Sequence, residues 1–234
     1  SSGPFSNYDS IVGGDRNCIE TNGGGNSAIV GGLCNSISNG YGGGNAECGT
    51  FIGAGLCNTI STYTSYMGGK QGHNVIVGGR SNALKCVTGG TTCIGCSVIV
   101  GGYLNTGSNA FTFIGSGCKN VITGCHGVIV GGTLNTGSGA CSFIGGGCGN
   151  CTSTSLSAIA GGKCNEINGN THSFIGGGCV NCINGSGGGA FLGAGVNNCI
   201  CSSTNTGHVL VGGSCNISEN VNAGGGHTVV IGGC

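Results

Sequence analysis

The chain has 234 residues, of which 58 are glycine and 19 cysteine, with 6 Lys or Arg set against 6 Asp or Glu for a formal net charge of zero. A chain so poor in charge has no long-range attraction for nucleic acid or an anionic membrane, so neither is an expected partner. No apolar run is long enough to cross a bilayer, and no basic start followed by an apolar stretch marks a signal peptide.

One short unit recurs along the chain, from Ile11-Val12-Gly13-Gly14-Asp15-Arg16-Asn17 to Val229-Val230-Ile231-Gly232-Gly233-Cys234. Each copy reads as aliphatic residues, a glycine pair, two variable residues and an asparagine. With the second glycine of each pair taken as position zero, the zeros fall at Gly14, Gly32, Gly55, Gly79, Gly102, Gly117, Gly132, Gly147, Gly162, Gly178, Gly195, Gly213 and Gly233. Copies are regular over residues 98–200 and irregular over 60–97, where Tyr66-Met67-Gly68-Gly69 is a degenerate copy. Such a period predicts a single repetitive all-β domain over residues 1–234, a parallel β-solenoid of stacked coils. No polar end cap is visible at Cys234, which leads to the expectation of a processed product or a segment of a longer protein.

Position −3 carries Ile99, Ile114, Ile129, Ile144, Ile159 and Ile175. Alternate residues of a strand face opposite sides, so this row is predicted to fill the coil. Position +3 carries Asn105, Asn120, Asn135, Asn150, Asn165 and Asn181. These asparagines are expected at the corner, where Asn tolerates the left-handed region and stacked amides form ladders. Positions −4 and −2 point the other way yet are apolar. Val98 with Val100 and Val128 with Val130 alternate with the Phe-x-Gly copies at Phe113, Phe143 and Phe174. A strand apolar on both faces is usually covered on both, so this stripe is expected to lie against another chain. The alternation leaves two coil lengths open, fifteen residues or thirty.

The string Val-Ile-Val-Gly-Gly-x-x-Asn-x-Gly at 98–107 and 128–137 resembles the head repeats of trimeric autotransporter adhesins and related Gly/Asn repeats of viral and phage fibre proteins. The resemblance runs over roughly residues 10–233. It implies fifteen-residue, left-handed coils, a side-by-side homo-oligomer of three chains, and a place at a cell or virion surface. Asn where that family has Ser, abundant cysteine, and the lack of a heptad stalk favour a fibre subunit over a bacterial autotransporter.

Nineteen cysteines point to an oxidising compartment. Cys118, Cys148 and Cys179 share one register and Cys151 and Cys182 another; neighbouring thirty-residue coils would let them bridge, whereas fifteen-residue coils would place them two rungs apart. The pairs Cys93/Cys96, Cys148/Cys151 and Cys179/Cys182 have metal-ligand spacing but recur because the repeat recurs, so neither a metal nor a cofactor is expected. His73, His126, His172 and His227 fall at −6, a register shared with Phe111 and Leu156, and read as turn residues. Six scattered acids make no catalytic pair, and an enzyme is not expected. Asn150, Asn184 and Asn216 fit the N-glycosylation pattern. The leading expectation is a structural subunit of an extracellular or virion-surface fibre, its partner a further copy of itself. Alternatives are a fibre module that binds a surface glycan or receptor, and an ice-binding solenoid resting on Thr62/Thr64, Thr152/Thr154 and Thr204/Thr206.

Overall fold

The computed structural model describes residues 8–21, 25–41, 48–64, 72–88, 95–202, 207–220 and 227–234. They form short strands and turns with no helix among them, and the chain divides into two compact units, Ser1–His126 and Gly127–Cys234. The same coil builds both. Each coil gives one strand to each of two sheets, and every pairing is parallel, so strands adjacent in a sheet are alternate strands of the chain.

In the unit Ser1–His126 the first sheet holds Ser10–Ile11, Gly25–Ile29, Cys48–Ile52, Val75–Ile76, Val98–Ile99 and Phe113–Ile114. Its second sheet holds Cys18–Thr21, Ser36–Tyr41, Thr59–Thr64, Ala83–Thr88, Thr106–Gly107 and Val121–Ile122. In the unit Gly127–Cys234 the first sheet runs from Val128–Ile129 to Val229–Val230 and the second from Thr136–Gly137 to Ile217–Asn220. This is a parallel β-solenoid.

Register settles the coil length. Val98 pairs with Phe113 in one unit and Val128 with Phe143 in the other, so the regular coil is fifteen residues and the thirty-residue alternative is excluded. The Val/Phe alternation is a change of side chain on successive rungs. The described strands within the irregular stretch keep the register, since Phe51 pairs with Val75 and Val75 with Val98. The extra length falls between the second-sheet strand and the next first-sheet strand. The degenerate copy at 66–69 lies outside the described residues.

The interior is a double row of aliphatics. Ile99 and Ile114 from the first sheet and Ile122 from the second are fully buried, as are Ile129, Ile144, Ile159, Ile175, Ile167, Ile183 and Ile200. Each contributes on the order of 1.5–3 kcal/mol by leaving water. A second interior row at −5 is small and polar, with Ser97, Thr112, Ser142, Ser157 and Ser173 all buried.

The corner differs from expectation in one respect. Asn does not take the left-handed conformation; the residue before it does, with φ of 57° at Leu104, 54° at Cys164 and 57° at Val180. The asparagine is needed for its side chain instead. Its backbone N–H donates to the side-chain oxygen of the Asn one coil earlier, at 3.0 Å from Asn105 to Asn82 and from Asn181 to Asn165. Its Nδ2 donates twice, at 2.9 Å from Asn105 to the Gly101 carbonyl and 3.0 Å to the Gly117 carbonyl of the next coil. Only a carboxamide has an acceptor and two donors of this shape, and the full set of partners lets it be buried.

The two corner glycines are unequal. At Gly162, φ is +97° and a Cβ would stand 2.3 Å from the Gly178 carbonyl oxygen and 2.5 Å from Asn165 Nδ2. At Gly161 a Cβ would meet nothing within 4 Å. Position −1 accordingly carries Ala54, Ser116 and Ala194 in other copies.

Candidate functional site

The outer face of the first sheet is the most distinctive surface of each unit. In Ser1–His126 the outward row at −4 holds Phe51, Val75, Val98 and Phe113 on successive rungs. In Gly127–Cys234 it holds Val128, Phe143, Ala158, Phe174, Phe191 and Val209. The row at −2 adds Val100, 43% exposed, and Val130, 48% exposed; Phe143 is 41% and Phe174 37% exposed. The inter-chain stripe read from the sequence is therefore one contiguous apolar surface within each unit. Phe51, Val77, Phe191 and Val211 extend it and were legible from the same register.

The alternation has a steric cause. In the Phe copies the residue two further on is glycine, and a Cβ at Gly145 would lie 3.5 Å from the Phe143 ring and 2.3 Å from the Ala160 carbonyl oxygen of the next coil. The ring thus lies over bare backbone in the place where Val130 stands in the neighbouring type of copy. Phe174 and Phe191, on adjacent rungs, stack with centroids 5.6 Å apart. Further exposed aliphatics sit at the corner, among them Leu134, Val180 and Val196. Their positions are variable in the repeat, and no periodic signal marks them.

Part of the opposite sheet presents hydroxyls. In Ser1–His126 its outward positions include Ser36 and Ser38, then Thr59 and Ser61, then Ala83 and Lys85, then Thr106 and Ser108. An ice-binding threonine array is not formed by Thr62 and Thr152, which are buried. Thr204 and Thr206 lie outside the described residues.

The candidate disulfide cysteines do not pair with one another. Lys163 stands between Cys148 and Cys179 on the corner ladder, and Glu166 stands between Cys151 and Cys182 in the second sheet. Each pair is thus two rungs, about 9.6 Å, apart, beyond disulfide reach. Cys118, Cys148, Cys151, Cys179 and Cys182 are free thiols, and among the described residues Cys199 and Cys201 form a disulfide. Burial, and then the Glu166 carboxylate beside them, push the Cys151 and Cys182 thiols up. At exposed Cys215, hydrogen bonds from the Ser214 hydroxyl and the Asn197 amide draw the thiol down.

Two glycosylation candidates are not open acceptors. The Asn150 amide is buried and its Nδ2 already donates to the Gly146 and Gly162 carbonyls. Asn216 Nδ2 donates to the Asn198 oxygen and the Gly212 carbonyl. Asn184 is exposed. His126, His172 and Leu156 occupy left-handed turns at φ 57°, and Phe111 one at 56°. Among the described residues no three His, Cys, Asp or Glu side chains converge as metal ligands would.

No protein-family model matches the chain, and no curated protein matches it significantly.

Proposed function

We propose that this chain is a structural subunit of an extracellular or virion-surface fibre, in which copies associate side by side through the outer face of the first sheet. The observation that carries this reading is the apolar row of Val, Phe and Ala in each unit, on a parallel sheet whose other face is already filled by isoleucine. Contiguous exposed patches of this kind mark interaction surfaces. The row repeats with the coil, so the partner it fits best repeats in the same way, which is a further copy of this chain. The likeness to trimeric autotransporter heads favours three chains. Sedimentation of the full chain at micromolar concentration tests the reading: a trimer or larger species supports it, and a stable monomer ends it.

A second reading rests on the hydroxyl-bearing face of the second sheet. Ser36, Ser38, Thr59 and Ser61 on adjacent rungs, and Thr106 and Ser108 beyond the Ala83 and Lys85 rung, offer donors and acceptors to a glycan. A glycan array on the assembled protein decides it, with uniform absence of binding removing this role.

A further inference from the structure

We propose that Cys182, Cys199 and Cys201 form a three-sulfur relay that moves a disulfide from within one strand to between two coils. The Cys199–Cys201 disulfide joins residues two apart in the strand Cys199–Ser202. The strand Cys182–Gly185 lies beside it, parallel and in register, so that Cys182 is the direct neighbour of Cys199 and Asn184 that of Cys201. Cys182 is a free, half-buried thiol on the same outward face. Paired parallel strands lie about 4.8 Å apart, inside the Cα separation that a disulfide spans. On their far sides Cys182 has Glu166 and Cys199 has Ile217, so neither has another cysteine in register beside it.

The reaction is an exchange and needs no oxidant. The Cys182 thiolate attacks Sγ of Cys199. The Cys182–Cys199 bond forms as the Cys199–Cys201 bond breaks, and the electron pair leaves on Cys201 Sγ. That sulfur takes up a proton to replace the one Cys182 released to water. The product closes a seventeen-residue loop instead of a two-residue one and ties one coil to the next. A bridge across a longer loop restrains the unfolded chain more, so the exchanged form resists unwinding at this point. Burial and Glu166 keep the Cys182 thiol protonated, which makes the relay slow at neutral pH and faster in alkali. The relay lies within one chain and stands whether or not chains assemble.

The test uses the full chain held at mildly acidic and mildly alkaline pH. Free thiols are trapped with N-ethylmaleimide, the chain is cut at Phe191 with chymotrypsin, and the labelled cysteines are mapped by fragmentation mass spectrometry. The expected result in alkali is transfer of label from Cys182 to Cys201 at constant total label. Glu166→Gln should speed that transfer severalfold near neutral pH, and Cys182→Ser should leave Cys201 unlabelled throughout. The proposal is overturned if Cys201 stays unlabelled in the natural chain at every pH, or if total label falls as the new bridge appears.

Discussion

The backbone N–H of Asn165 donates to the side-chain oxygen of Asn150, one coil away, at 3.0 Å. The same link recurs at every described corner within each unit, so each coil is tied to the next through a buried amide as well as through its two strands. Asn165 also donates from Nδ2 to the Gly161 and Gly178 carbonyls and accepts from Asn181.

Replacing Asn165 by Ala strands the Gly161 carbonyl and the Asn181 N–H, while the Gly178 carbonyl keeps the Lys163 N–H. The expected loss is about 2–4 kcal/mol, since each unsatisfied buried group costs about 1–3 kcal/mol. Urea unfolding should show a lower midpoint, and hydrogen exchange at the Asn181 amide should quicken. Asn165→Asp keeps the acceptor, removes both donors and faces a carboxylate toward carbonyls, so it should be worse at neutral pH and partly relieved in acid. Equal midpoints for all three proteins would show that the ladder carries no stability.

The corner glycines offer a paired comparison. Gly162→Ala places a Cβ 2.3 Å from a backbone oxygen at a φ of +97° and should cost more than about 3 kcal/mol or prevent folding. Gly161→Ala meets nothing within 4 Å and should lie within about 0.5 kcal/mol of the natural chain. Thermal melts of the two variants check this; similar melting temperatures would refute the asymmetry.

His208 is buried, with its Nδ1 3.5 Å from the Ser218 hydroxyl and its Nε2 unpartnered. Burial, and then the His227 ring, lower its pKa below the ordinary 6.5. The unfolded chain therefore takes up this proton before the folded one does. Stability is full above pH 6.5 and falls as the pH drops from there toward the lowered folded value. Melts at neutral and mildly acidic pH should show a loss in acid that His208→Gln reduces. An unchanged acid loss in that variant would assign it to other groups.

On the apolar face, Val130→Lys and Phe143→Lys alter outward side chains and leave the Ile129 and Ile144 core intact. Circular dichroism should be unchanged while sedimentation shifts toward monomer. Unaltered sedimentation with intact fold would place the contact surface elsewhere.

Much of the coil was readable from periodicity. Ile at −3 must be inside because a strand alternates, and the Phe and Val beside it must then be outside. The turn at −6 followed from residue type and position. The asparagine ladder was legible from the same periodicity, but the left-handed residue was misplaced by one, since the residue before each Asn takes the positive φ. Thiol pairing was unreadable: Cys182 meets Cys199 only because coils of unequal length keep one register.

The residue pattern alone established a parallel β-solenoid with an aliphatic interior and an apolar outer stripe, since both follow from a two-residue alternation repeated at near-constant spacing. Only the folded molecule decided that one turn takes fifteen residues, that the second glycine and not the first is sterically required, and which cysteines are neighbours. Those depend on which carbonyl, amide or sulfur of one coil lies against the next, a distance of a few ångströms across many residues of chain.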